Sequence, residues 1–543
     1  MPKLFLNQDI IFKKREGQYY VYNNRTGSLF YGKKELWKFL KSFRTGQELE
    51  ALKRKPSFTK WEKLLPNLIG TKYLLHDSGD EIELYLDFFP TRTYYTVYYK
   101  HEEGTDIAIY RIGPHGDPDF EIITLKGTAK ELWDLCNGNN TVHQLIAHFS
   151  EKMGGNYKDT KHDIFEKMKE WTSLDAQILK LLPQSLLTYD TIPPHIISPA
   201  PFIPRLKVSA PKQAIDTRRY HISEIEEGYH QFERVESTLA HIYRVPHPLL
   251  GGKTYGEAFL TRLLELKPIE KGSRILEIGG GHGDVSKEIL VKLKETKPEI
   301  FSTLTYILYD LSPQLIKSQR RLHKEAGVHV EHIHGDAEFL ALEDASIDMI
   351  FSNEVIADFL TPELTLKEVK KLPDKHGIPI NQDFLDTLKD APKRFRLNLG
   401  AFLLLKEIQR VLKPGGIAVI TEYGDPDRLP FLAEHLDHAE YTIHFGQMVT
   451  IAKELGLNVR LSDALKFLDF QLEVELITHP SFQAAFRILE HHGIYLPNIN
   501  YTKELFREQV EEKADSMKNI QFAKATEEHI EMVKFLICEK SAN

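Results

Sequence analysis

The run Arg274-Ile-Leu-Glu277-Ile-Gly279-Gly-Gly281-His-Gly283 constrains this chain's fold more than any other stretch. A short apolar strand ends in a carboxylate, enters a turn of glycines and opens a helix expected over Asp284 to Leu293. Glycine has no Cβ, so the backbone N–H groups of such a turn can approach a ligand closely. The next strand, expected over Leu304 to Leu308, leads to Tyr309-Asp310-Leu-Ser-Pro313, with Asp310 placed to accept hydrogen bonds from ribose hydroxyls. Together these residues describe a nucleoside-cofactor site at the carboxyl edge of a parallel sheet. A dinucleotide fingerprint reading from Gly279 would need a glycine where Asp284 stands. A carboxylate there opposes a pyrophosphate. It tolerates S-adenosyl-L-methionine, which has no phosphate and a net positive charge, and Glu277 can face that cofactor's ammonium group.

The pattern E-x-G-x-G-x-G resembles motif I of class I methyltransferases, and matching parts follow it. His334-Gly335-Asp336-Ala337 looks like the strand-end pair whose carboxylate contacts the adenine amino group. Ser346 to Glu354 reads as the fourth strand, ending in Asn353-Glu354 where methyl transfer occurs. Leu405 to Leu412 reads as an amphipathic helix stopped by Pro414-Gly415-Gly416, which feeds the strand Ile417 to Ile420 and then Thr421-Glu422-Tyr423-Gly424. Strands and helices alternate, as in a doubly wound α/β sheet. The resemblance implies a Rossmann-like domain that binds S-adenosyl-L-methionine through Glu277, Gly279, Gly281, Gly283, Asp310, Leu311, Asp336, Ala337 and Asn353. More narrowly, Asp310-Leu-Ser-Pro-Gln-Leu315, Asn353-Glu354, Glu422-Tyr-Gly and Tyr441-Thr-Ile-His-Phe445 are similar to MidA-like methyltransferases, whose members include one that methylates protein arginine. This chain departs from them at Asp358, one position late in the fourth-strand loop, and at Glu422, which replaces an aspartate.

Glu354 and Glu363 have eight residues between them, the spacing of the two glutamates that clamp a guanidinium in protein arginine methyltransferases. A planar, permanently charged guanidinium can be held by paired carboxylates. Asp358, one helical turn after Glu354, is an equally good second carboxylate, and an ordinary solvated loop is the alternative for both Asp358 and Glu363. His444 lies in the family-like segment and is a candidate base on the acceptor side, with a packed structural histidine as the alternative. His435, His438 and His444 are spaced too loosely for a standard ligand set, so no metal is expected.

The 543 residues include two cysteines, Cys136 and Cys538, which fits a reducing cytoplasm and rules out a disulfide scaffold. No signal peptide or long apolar run is evident, so neither a membrane nor, at a net charge of −8, a nucleic acid is an expected partner. The charge is uneven: residues 1–60 carry 14 Lys/Arg against 5 Asp/Glu, a local +9 that leaves −17 elsewhere. A basic amino-terminal module suits an acidic partner.

That module is internally repeated. Lys34-Glu-Leu-Trp37 recurs as Lys130-Glu-Leu-Trp133, each followed by a helix that a threonine, Thr45 or Thr141, is expected to cap. Trp61 and Trp171 complete two equivalent tryptophan pairs. Both copies read as strands followed by three short helices. They resemble the PqqD-like domain, the recognition element of pathways that modify ribosomally made peptides. The resemblance implies that a leader peptide adds beside the third strand of a copy and packs against its last helix. The docking grooves would be Gly27 to Tyr31 with Phe58 to Leu68, and Glu121 to Leu125 with Asp163 to Thr172.

The expected organisation is two small α+β, winged-helix-like recognition domains (1–80 and 81–183), a proline-rich linker (184–220), a class I methyltransferase domain (221–479) and a helical carboxyl-terminal extension (480–543). The expected activity is methylation of an arginine in a ribosomal precursor peptide recognised through its leader. A folded-protein acceptor and a non-catalytic assembly factor are the alternatives, and homodimerisation stays open.

Overall fold

The computed structural model describes residues 3–15, 18–32, 34–54, 58–76, 80–93, 96–112, 118–184, 238–435, 438–525 and 532–542. The expected linker, apart from Gln184, lies outside the described residues, as does most of the helix read over Ile222 to Tyr243. The chain divides into two compact units. One combines residues 1–209 with 477–496 and 503–523; the other combines 210–476 with 497–502 and 524–543.

The second unit is built on one large sheet. Its strands are β1 (Arg274–Ile278), β2 (Thr305–Asp310), β3 (Glu331–His334), β4 (Ile347–Asn353), β5 (Leu412–Asp425), β6 (Leu457–Asp463) and β7 (Val533–Lys540), in spatial order β3-β2-β1-β4-β5-β7-β6. β1 to β5 run parallel and β7 is antiparallel to both neighbours. Helices α1 (Tyr255–Leu266), α2 (Asp284–Thr296), α3 (Pro313–Glu325), α4 (Leu399–Val411) and α5 (Phe445–Glu454) complete the layers.

Side chains alternate faces along a strand, so these strands feed two cores. Ile275, Met349, Phe351, Val419, Phe535 and Ile537 pack into one, with α1 and α2. Leu276, Ile278, Ile350, Ile420, Leu536 and Cys538 pack into the other, with α4 and α5. The strand order reverses between β1 and β4, and ligands of open α/β sheets bind beyond the strand ends at such a switch point.

Residues 480–543 were expected to be helical throughout, and the structure corrects this. The helices His479–His491 and Lys503–Val510 are present, but the segment ends in β7, inserted between β5 and β6. A strand buried on both faces reads as a plain apolar run, and Phe535-Leu-Ile-Cys538 has no period to separate it from a buried helix. The helix His479–His491 belongs to the other unit.

The first unit holds the repeat. In the first copy, strands Ile10–Arg15, Gln18–Asn23 and Leu29–Gly32 form an antiparallel meander followed by the helix Lys34–Lys41. In the second, Tyr98–His101, Gly104–Ile112 and Pro118–Leu125 do the same ahead of helices Gly127–Leu135, Val142–Met153 and Tyr157–Thr172. Trp133 and Trp171 meet edge to face at 5.6 Å in a buried core. The equivalent Trp61 stacks on Phe39, while Trp37 packs against Phe12 and Tyr19. Thr141 caps its helix in a reciprocal box with Gln144, as expected. Thr45 does not: it ends a 3-10 turn, Gly46 follows in the left-handed region at φ 74°, and the helix starts only at Leu49. Buried Arg25 joins the copies, donating to the Lys169 carbonyl at 3.0 Å and to Thr172 Oγ1 at 2.6 Å while pairing with Asp9 at 3.2 Å.

Candidate active site

β1 delivers Glu277 and the glycine turn to the carboxyl edge of the sheet. Gly279, Gly281 and Gly283 have φ of 67°, 50° and 95°, a region where side-chain-bearing residues are strained. Space forbids a side chain as well: a Cβ on Gly279 would lie 2.5 Å from Val355 Cγ1. Gly283 is the N-cap of α2, and a Cβ there would come within 3.1 Å of His323 Nε2.

Glu277 is buried and accepts a hydrogen bond from Tyr306 Oη at 2.9 Å. Burial pushes its carboxyl up to about 7, and the neighbouring Asp310 adds to the shift against the hydrogen bonds from Tyr306 and Ser286. Asp310 ends β2. Its Oδ1 accepts from Ser312 N at 2.9 Å and its Oδ2 from Gln319 Nε2 at 2.9 Å. The same Gln319 Nε2 donates to the Gly281 carbonyl at 2.8 Å, so one buried amide on α3 ties the glycine turn to Asp310. Leu311 follows half-buried. Asp336, beyond β3, accepts from Glu338 N at 3.0 Å, and Ala337 is buried beside it.

These residues fit S-adenosylmethionine. Two buried carboxylates, one held partly protonated by its surroundings, make a site that a cation relieves. A side chain at Gly279 would collide with Val355 and one at Gly283 would crowd His323, and at the start of α2 the carboxylate of Asp284 neutralises Lys287 at 3.3 Å.

The other half of the site lies at the ends of β4 and β5. Asn353 Oδ1 accepts from Tyr255 Oη of α1. Glu354 follows at φ 50°, a conformation that costs a residue with a Cβ about 1–2 kcal/mol. Its N–H donates to the Thr421 carbonyl at 2.9 Å, and its Oε1 accepts from Leu239 N at 2.9 Å. Asp358 closes the next turn, a 3-10 segment Ile356–Asp358, half-buried. Glu422 of β5 is buried, accepting from Ala357 N at 3.1 Å and Tyr423 N at 2.8 Å. Burial first, then Glu440 and Glu354, hold its carboxyl well above the ordinary range. Three acids from three segments therefore act on one another here.

Glu363 and His444, the other acceptor-side candidates, have partners of their own, and His444 pairs beside Asp425 at the end of β5. Glu363 is exposed and accepts from Arg394 Nε at 3.0 Å in a surface ion pair between short strands. The nine-residue offset from Glu354 spans a 3-10 turn and an extended segment rather than one helix. His444 is buried as the N-cap of α5, its Nδ1 accepting from Gln447 N at 3.4 Å, and burial lowers it to about 4, which keeps it neutral. It packs and caps through Nδ1, and its Nε2 is buried without a hydrogen-bond partner.

Gln319, Tyr255 and Glu440 escaped the reading of the sequence. Glu422 carried a usable signal, an acid at the carboxyl end of a sheet strand beside Asn353-Glu354.

Residues 269–455 match the family model described as a methyltransferase domain. With the strand order, the glycine turn and the carboxylates at 277 and 310, this part of the chain is a class I methyltransferase domain whose cofactor is S-adenosylmethionine. No curated protein matches the chain. Among solved structures, it is similar to a putative sarcosine dimethylglycine methyltransferase from Galdieria sulphuraria, at 14% identity over 60% of this chain and 99% of that one, with a TM-score of 0.31. It is also similar to Haemonchus contortus phosphoethanolamine N-methyltransferase 2 in complex with S-adenosyl-L-methionine, at 17% identity over 61% of each chain, with a TM-score of 0.31. Among the described residues, no helix is long and apolar enough to cross a membrane.

Proposed function

We propose that this chain methylates an arginine guanidinium in a ribosomally made precursor peptide, recruited through its leader by the repeated amino-terminal unit. The observation that carries the reading is that Glu422 accepts from Ala357 N in the turn that follows Asn353-Glu354, and that the strand His438–Tyr441, which carries Glu440, packs on the same turn. A cationic, planar acceptor is the ligand such a cluster favours. Glu354, held in the left-handed region, orients the acceptor nitrogen. Glu422, whose carboxyl burial and the neighbouring acids hold well above the ordinary range, supplies the second carboxylate of the clamp in place of Glu363. Bound S-adenosylmethionine supplies an electrophilic methyl group. The protein's contribution is mainly alignment of the reacting atoms.

The amino-terminal unit supports leader recognition in its first copy. Among the described residues the strand Leu29–Gly32 pairs with Gln18–Asn23 on one side only, which leaves an edge for strand addition. The excess of basic residues over positions 1–60 favours an acidic leader. In the second copy, the chain's own helix His479–His491 packs on the sheet.

The test is transfer of isotopically labelled methyl from S-adenosylmethionine to small peptides encoded beside this gene, read by tandem mass spectrometry. The expected result is label on a core-region arginine, lost on trimming the leader and lost in Glu354→Gln with cofactor binding intact. Label on another side chain would overturn the guanidinium clamp. Label only on a folded protein would replace the peptide reading.

A further inference from the structure

We infer that His101, Asp106 and His492 form a divalent-metal site, for which zinc is the best-suited ion. Three separate elements of the first unit supply the ligands: the end of the strand Tyr98–His101, the interior of Gly104–Ile112, and the residue just past the helix His479–His491. One ligand atom from each lies within 4.8 Å of the others. Asp106 sits between the imidazoles, its Oδ1 3.3 Å from His101 Nε2 and its Oδ2 2.6 Å from His492 Nε2. Two imidazole nitrogens and one carboxylate match zinc's preferences. Ligands on a tetrahedral ion are about 3.4 Å apart, so small side-chain movements suffice to seat it.

The surroundings are those of a metal site. Asp106 is only 1% exposed and the histidine side chains 18% and 26%, while His101 Nε2 is itself buried without a hydrogen-bond partner, a nitrogen that an ion would satisfy. Thr124 Oγ1 donates to Asp106 Oδ1 at 2.6 Å, the kind of outer hydrogen bond that fixes a ligating carboxylate. Tyr99 packs against both imidazoles, at 5.6 Å from the His101 ring and 4.8 Å from that of His492, limiting their rotation. The consequence is a staple: the ion would bind a helix late in the chain to the sheet of the second repeat, 386 residues away.

The full-length protein, stripped with chelator, should take up one equivalent of zinc in calorimetry. It should also give the intense visible absorption of tetrahedral cobalt(II) when that ion is substituted. Saturating zinc should raise the melting temperature by about 5 °C or more. His101→Gln and His492→Gln should each weaken zinc binding by about 100-fold or more and abolish the cobalt signal, with the circular dichroism of the metal-free protein unchanged. Absence of zinc and cobalt binding to the wild-type chain, or binding that both substitutions leave intact, would overturn the site. The cobalt spectrum of the wild type decides the matter even where a variant folds poorly.

Discussion

Glu277 links cofactor binding to pH. Its folded-state value of about 7 lies above the ordinary glutamate value, so folding holds a proton that the unfolded chain releases. Stability falls as pH rises through the window from the ordinary carboxyl value to about 7, by about 3 kcal/mol in all if nothing offsets it. A cation bound beside the carboxylate needs it ionised, so cofactor binding expels that proton. Affinity for S-adenosylmethionine should therefore rise up to about tenfold per pH unit below 7 and level off above it. Calorimetry in buffers of different ionisation enthalpy should register proton release at low pH. Glu277→Gln should flatten the profile and weaken binding about 10- to 100-fold at pH above 7, and a flat wild-type profile would contradict this role. Glu354 offers a second test at this scale, since its φ of 50° suits glycine. Glu354→Gly should be more stable than Glu354→Ala by about 1 kcal/mol in urea unfolding, although both lose the carboxylate and both should lose methyl transfer. Equal stabilities would mean the turn relaxes when the side chain is cut.

At the scale of elements, the glycine turn works because it is locked between β4 and α3. Gly279→Ala would push a Cβ into Val355 and strain the backbone, so it should destabilise the domain by about 2–4 kcal/mol and remove cofactor binding. Adding Val355→Ala should recover part of that stability, since it opens the space without changing φ. If the second substitution recovers nothing, the cost lies in the backbone alone. β7 is the other decisive element. Leu536 is fully buried between β5 and β6, and Leu536→Asp places a charge in that core without a partner. The expected cost is above about 3 kcal/mol, read as loss of the cooperative melt together with cofactor binding. Retained binding in this variant would show that the strand is dispensable.

On the scale of the whole molecule, the chain interleaves its units, because residues 477–496 and 503–523 return to the amino-terminal one. Helix His479–His491 buries Phe482, Ala485, Ile488 and Leu489, and it packs on the strands Gly104–Ile112 and Pro118–Leu125. A fragment beginning at residue 210 would expose that apolar stripe, so it should self-associate in size-exclusion chromatography more strongly than the full chain. A well-behaved monomeric fragment would show that the helix finds other cover. The interleaving also explains why boundaries drawn along the sequence, with a separate extension from 480, missed the division. Contacts between segments hundreds of residues apart leave no periodic mark in either one.

The sequence by itself determined the cofactor and the local frame expected to hold it. Glu277, the glycines and Asp310 act through strand ends and a tight turn, features encoded within a few residues of one another, and the repeat and its Thr141 cap are local in the same way. Tertiary structure alone decided the rest. Gln319 reaches back to Gly281 and Asp310, Tyr255 reaches across to Asn353, and Glu422 is buried against the turn that follows Glu354 while Glu363 pairs with Arg394. Only the folded sheet shows that β7 is a strand. The physical reason is shared: charge coupling and burial on both faces depend on which distant segments the fold makes neighbours, and residue spacing carries no record of that.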